Sequence, residues 1–173
     1  MRPHPSVLIG RAVDLYGMDE VVEWAAELLT GGSPAGSPAG GLDVRLLGGN
    51  PDWEPYWFRV WGARTFLYVW DPRAELPVIT GLADPHWRVR EMCAKVCRLR
   101  EIAEAAPALV RLAGDPVERV RLAALKAIGD ICEADSAAPL LALTGERGRE
   151  ADVAAAALRR MEERLDRQDL GDV

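Results

Sequence analysis

The phrase DPHWRVREMCAKVCRL (84–99) returns 31 residues later as DPVERVRLAALKAIGD (115–130). Both copies open on Asp-Pro and carry Arg-Val-Arg directly behind the turn. The flanks follow the same period, with APALVRLAGD (106–115) matched by AAPLLALTGE (137–146). Each period therefore holds two short apolar segments joined by a turn. Val120, Ala123, Ala124, Ala127 and Ile128 recur at steps of three and four, which is helical rather than strand spacing. Leu109, Val110 and Leu112 do the same in the shorter segment. Pro77, Pro107 and Pro139 recur near its start. Asp84-Pro85 and Asp115-Pro116 read as an N-cap aspartate followed by a first-turn proline, which lacks the N–H that would go unused there. The repeating unit is a helical hairpin, too small to bury its own apolar face, so stacked neighbours must supply the core.

At these residues the chain resembles the HEAT repeat family, and within it the phycobilisome-lyase-type HEAT-like repeats. The family pattern is Pro-x-Leu-Leu-x-Leu in a first helix, Asp-Pro in the turn, then Val-Arg-x-x-Ala-x-x-Ala-Leu in a second. Pro107–Leu112, Asp115-Pro116 and Val120-Arg121 through Ile128 meet it. Pro77–Leu82, Asp84-Pro85 and Val89-Arg90 meet it again, with Cys93 and Cys97 where alanines are usual. DVAAAALRRM (152–161) continues it after a two-residue insertion. The resemblance covers about residues 72–165 and implies an all-α, short α-solenoid.

The first repeat is disguised. NPDW (50–53) parallels DPHW (84–87), and FRVWGARTF (58–66) lines up with VREMCAKVC (89–97). Its first helix is MDEVVEWAAELL (18–29), capped by Asp19 and ended by Thr30-Gly31-Gly32. Between the two lies a Gly/Ser/Pro-rich insertion at 31–49, expected to be flexible, within which LDVRLL (42–47) has the apolar content to dock onto a surface. A helix over 7–16 caps the N-terminal end. The expected architecture is a single domain over 1–173: about four helical hairpins plus the N-terminal capping helix, with an acidic tail at 166–173.

Composition bounds the function. Apolar residues make up 49% and charged residues 28% of 173, which is globular composition. A net charge of −6 opposes generic nucleic-acid binding. No stretch has the length and apolarity of a membrane span. Three cysteines form no disulfide framework, and together these features point to the cytoplasm. Cys93 and Cys97 fit small buried positions better than a metal site, which wants more ligands than the sequence brings near them. No nucleotide loop, catalytic constellation or cofactor motif stands out, so neither a metal nor another cofactor is expected.

Two features remain as candidate binding residues. Arg64, Lys95, Lys126 and Arg159 occupy one position of successive second helices, and Trp57, Arg88, Arg119 and Asp152 stand seven residues earlier. In the family the second helices line a concave surface, so the resemblance implies a basic groove. Residues 86–126 hold nine basic against five acidic side chains. The second feature is WEPYWFRVWGARTFLYVW (53–70), which contains eight of the eleven aromatic residues. Trp53, Trp57 and Trp61 form an i, i+4, i+8 line on it. Arg59, Arg90 and Arg121, at the family's Val-Arg position, are expected to pair with loop carboxylates such as Asp84 and Asp115. The expected function is a non-enzymatic adaptor or scaffold that binds another protein, one with an acidic segment fitting the basic groove. The alternative is a nucleic-acid binder or a DNA alkyl-base-excision protein, since HEAT-like glycosylases use tryptophan, aspartate and arginine on a concave surface. No segment here matches their catalytic one. A chromophore-lyase role rests on the subfamily's name alone.

Overall fold

The computed structural model describes residues 3–32, 42–50, 52–167 and 170. Among these residues nine α-helices account for the regular structure, an all-α repeat fold of the short α-solenoid class. The chain divides into two compact units, Met1–Val96 and Cys97–Val173.

In the first unit, α1 (Pro5–Tyr16) and α2 (Met18–Leu29) are joined by Gly17 alone, whose φ of +87° makes the tight reversal possible. That glycine is also the N-cap of α2, which places Asp19 inside the first turn rather than at the cap. The Asp19 carboxylate instead accepts a 2.6 Å hydrogen bond from Arg73. α2 buries Val21, Val22, Trp24, Ala25, Leu28 and Leu29, a stripe recurring at helical steps. It ends as expected at Thr30, whose N–H and hydroxyl both reach the carbonyls of Ala26 and Glu27.

The sequence predicts a flexible insertion over 31–49 with LDVRLL able to dock within it, and the described part of the insertion is packed on the first unit. Residues 33–41 lie outside the described residues. Beyond them Leu42, Val44 and Leu47 are buried, the last two in a one-turn 3-10 helix (Val44–Leu47). They share a core cluster with Ile9 and Ala12 of α1 and with Trp24 and Leu28 of α2. The physical reason is burial: three aliphatic side chains on one short turn find an apolar surface beside α1. Asp43 caps that turn by accepting from the N–H of Arg45 at 2.8 Å.

α3 (Pro55–Thr65) packs directly on α2. Gly62 sits where the backbones nearly touch, since a β-carbon there would stand 2.5 Å from the Ala25 carbonyl oxygen. α4 (Glu75–Gly81) follows, preceded by a 3-10 turn at Pro72–Ala74, and α5 (Trp87–Arg100) carries the boundary between the units.

In the second unit, α6 (Ala106–Leu112) and α7 (Glu118–Ile131) form one hairpin, and the short α8 (Ala138–Leu141) and α9 (Arg149–Leu165) form the next. α6 packs on α7, α8 on α9, and α7 on α9. Val120, Ala124, Ala127 and Ile128 of α7 are fully buried, as are Ala154, Ala157 and Met161 of α9. Gly129 is the contact point, with a hypothetical β-carbon 2.5 Å from the Ala157 carbonyl oxygen. Of the predicted acidic tail, only 166, 167 and 170 are described; Asp166 closes α9 in the left-handed region and Leu170 is buried.

The Asp-Pro phrase works differently from a helix cap. The Asp115 carboxylate accepts from the N–H of Val117 at 2.9 Å, and Val117, not Asp115, is the N-cap of α7. The Asp84 carboxylate likewise accepts from His86 at 2.7 Å. Both are Asx turns, in which the aspartate closes a loop of its own and proline supplies the fixed φ that the next position of the turn requires. Asn50 does the same with the N–H of Asp52 at 3.0 Å, so the disguised first repeat uses the same turn.

The Val-Arg arginines tie these turns together, Arg59 through the loop carboxylate expected of it. Arg59 donates to both oxygens of Asp84, at 2.6 and 3.2 Å, reaching from one hairpin into the turn of the next. Arg121 makes the corresponding forward contact to both oxygens of Glu150, at the start of α9. Arg90 and Arg121 also reach back to their own turns, donating to the carbonyls of Asp84 and Asp115 at 2.9 and 2.8 Å. Hydrogen bonding to Arg121 holds the Glu150 carboxyl below its ordinary range. In the same unit Asp130 accepts from both Arg98 and Arg160. Burial pushes its carboxyl up, but the hydrogen bonds and charges of the two arginines outweigh this and hold it below the usual value.

Two outcomes follow for stability. Gly129→Ala improves intrinsic helix propensity, yet overpacking against Ala157 should destabilise the protein by about 1–3 kcal/mol in urea titration. Because the Asp130 carboxyl is depressed in the folded state, its stabilisation is present above an unfolded pKa of about 3.9 and is lost as pH falls through the folded value. Asp130→Asn should therefore lower the melting temperature at pH 7 and bring it close to that of the wild type at the acid end of a pH series.

Candidate functional site

The first unit gathers an unusual run of rings. Trp53 lies against Trp61, centroids 6.3 Å apart and planes 24° apart, and against Trp57 at 5.6 Å. Trp57 contacts Tyr56 at 5.2 Å, Tyr56 stacks on His86 at 3.6 Å and 8°, and His86 lies 6.1 Å from Trp87. Helical spacing explains the first part: Trp57 and Trp61 are one turn apart on α3, and Trp53 folds onto them from the turn before the helix. Trp87, the first residue of α5, closes DPHW as Trp53 closes NPDW in the turn before α3, so both phrases deliver an indole to the run. Burial and the nearby charge of Arg88 lower the pKa of His86, which keeps its ring neutral and suited to stacking on Tyr56.

Two guanidinium groups rest on these rings. Arg88 lies 4.3 Å above Trp87 and 5.2 Å above Trp57, and Arg64 lies 4.9 Å above Trp61. Indole faces attract such cations, most strongly where water is excluded. The Nε of Arg64 is buried without a hydrogen-bond partner, a condition that costs about 1–3 kcal/mol unless something else accepts from it. Among the described residues, no ion pair engages Arg64 or Arg88. Beside this cluster Trp53 and Trp61 line an open groove of about 530 Å³ together with Leu8, Arg45 and Asn50.

The structure thus brings together five of the predicted site residues: Trp53, Trp57, Trp61, Arg64 and Arg88. It also divides the tryptophans. Trp61 is only 8% exposed and belongs to the core cluster, whereas Trp53 and Trp57 are half-buried. Lys95 is exposed but engaged with Glu91 at 2.8 Å, one turn away. Arg119, Lys126 and Arg159 belong to the second unit, where each is exposed. Tyr56, His86 and Trp87 were not among the predicted site residues. The parallel between NPDW and DPHW was the feature able to place the last two. Cys93 and Cys97 are buried, as expected of alanine substitutes; Cys132 is buried too, which pushes its thiol up to about 11. No helix among the described residues is long and apolar enough to cross a membrane.

With this geometry in place, comparison with known families is direct. The HEAT repeat family model matches residues 75–161, half of the chain, and the chain belongs to that family. Neither a curated protein nor a solved structure gives a significant match.

Core and platform tryptophans should separate by stability. Trp61→Ala should cost about 3–5 kcal/mol, whereas Trp57→Ala should cost about 1 kcal/mol or less. Chemical denaturation of the two variants measures the difference.

Proposed function

We propose that the chain is a non-enzymatic adaptor or scaffold module, docking another protein on the aromatic platform of its first repeat. HEAT repeats generally mediate protein–protein interactions. The observation that carries the reading is the part-exposed run of Trp53, Trp57 and Trp87 with Arg88 between indoles. Tryptophan and arginine dominate the energetic centres of protein interfaces, because each brings a large rigid contact area with a polar handle. Arg119, Lys126 and Arg159 are candidates for a second contact in the other unit. In this reading the module works in the cytoplasm on a protein partner.

The second reading is a nucleic-acid-binding or alkyl-base-excision protein using the same residues. Indole and guanidinium faces also stack unpaired bases, which is the specific feature in its favour. Net charge opposes it.

Capture from the native lysate, with and without nuclease, distinguishes them when wild type is compared with Trp57→Ala. A stoichiometric protein retained after nuclease by the wild type and lost by the variant supports the adaptor. Retention only without nuclease supports the nucleic-acid reading, and equal capture by both chains rules out the platform.

A further inference from the structure

The platform's two arginines differ from the others around them. Arg59, Arg73, Arg98, Arg121 and Arg160 each meet a carboxylate within 3.0 Å. Arg64 and Arg88 meet indole faces instead, and among the described residues no carboxylate reaches either. A cation laid on a ring keeps its N–H edge for a further acceptor, and the buried, unpartnered Nε of Arg64 shows that the protein itself leaves one such donor unsatisfied. Nor, among the described residues, does any group accept from the indole N–H groups of Trp53, Trp57 and Trp61. The platform is apolar across its middle and cationic at both ends.

Its dimensions select a shape of ligand. Arg64 rests on Trp61, while Arg88 rests on Trp57 and Trp87. Trp57 and Trp61, the α3 rings under the two cations, are one turn apart, and Trp53 lies against both. An extended chain of the polyproline type advances roughly 3.1 Å per residue with three residues per turn, so side chains at i and i+3 share a face about 9 Å apart. Two carboxylates on one face of such a segment can meet the two guanidinium groups while the residues between them lie on the indoles. Aromatic-lined surfaces suit such segments because the peptide is already extended and loses little freedom on docking.

We infer that the partner segment is an extended peptide with acidic side chains flanking proline or aliphatic residues. Its carboxylates take Arg64 and Arg88, and its apolar residues cover Trp53 and Trp57. This deepens the adaptor reading and rests on it. Asp52 and Glu54 are exposed at the start of α3 and carry the opposite sign. They disfavour an all-acidic ligand, which is why the apolar centre is part of the recognition.

Fluorescence polarisation tests this with a labelled Pro-Glu-Pro-Leu-Glu-Pro peptide, a second with lysine for glutamate, a third with adjacent glutamates, and labelled oligo-deoxythymidylate. The first peptide should bind at least about tenfold tighter than the second and third. Arg64→Gln/Arg88→Gln should weaken it about tenfold or more, while Arg111→Gln, an exposed arginine away from the platform, leaves it unchanged. Arg64→Lys/Arg88→Lys, which keeps charge but loses the fork, should recover part of the loss, and circular dichroism confirms that each variant is folded. Equal binding of the glutamate and lysine peptides overturns the inference, as does indifference to the arginine variants or binding of the oligonucleotide alone. If Trp57→Ala still loses a protein partner in that case, the adaptor reading stands and only the acidic-peptide assignment fails. If it loses none, both fail.

Discussion

Stacking helical hairpins leaves a register problem, because apolar faces alone let neighbouring hairpins slide. In this chain arginines link neighbouring hairpins and their own turns, and Arg121 does both at once. Arg121 donates backward to the carbonyl of Asp115 in its own turn and forward to the carboxylate of Glu150 in the next hairpin. Arg59 makes the forward contact to Asp84, and Arg90 the backward one. A planar guanidinium with several donors in fixed geometry serves two acceptors in a way that a lysine cannot. The Asx turns complete the arrangement: each aspartate uses a carboxylate oxygen on its own turn while its carbonyl faces the arginine. The repeated phrase therefore encodes a joint between neighbours as much as a pair of helices.

The first repeat packs against α1 and the turn at 44–47. α1 and the docked turn at 44–47 close the apolar surface of α2 and α3. Trp61 is absorbed into that closure, but Trp53 and Trp57 extend past it and carry Arg88 with them. Cation pairing accordingly splits into two kinds within one unit. Arginines of the Val-Arg position are satisfied by carboxylates and carbonyls, and those on the aromatic platform lie on rings. The first kind holds the fold, and the second lies on indole faces with no carboxylate among the described residues.

Most of the architecture was legible because it is periodic. A 31-residue step repeated in Asp-Pro, Val-Arg and the alanine stripe leaves few alternatives to stacked hairpins, and Asn50 in NPDW was enough to place the disguised repeat. What the sequence hid was local geometry. An aspartate before a helix reads equally as a cap or as an Asx turn, because both use the same oxygen and differ only by which N–H it meets. LDVRLL stood out as apolar, but Leu42, Val44 and Leu47 are too few to show a period or to name the surface they meet. Spacing put three tryptophans on one line, yet only packing could divide Trp61 from Trp53 and Trp57. Equal spacing also made Arg64 and Lys95 look alike, when one lies on an indole and the other is engaged by Glu91.

The central claim is that the Val-Arg arginine and the carboxylate of the next turn act as one joint. A double-mutant cycle on Arg59 and Asp84 measures it, using Arg59→Gln, Asp84→Asn and the pair, each read by urea unfolding. Asparagine at 84 keeps the acceptor for the His86 N–H, so the turn itself is preserved. The predicted result is a coupling of about 1 kcal/mol or more, with the double variant barely less stable than the weaker single one. Two losses that simply add would show that the arginine and aspartate act independently, and that stacking is held by the apolar faces alone.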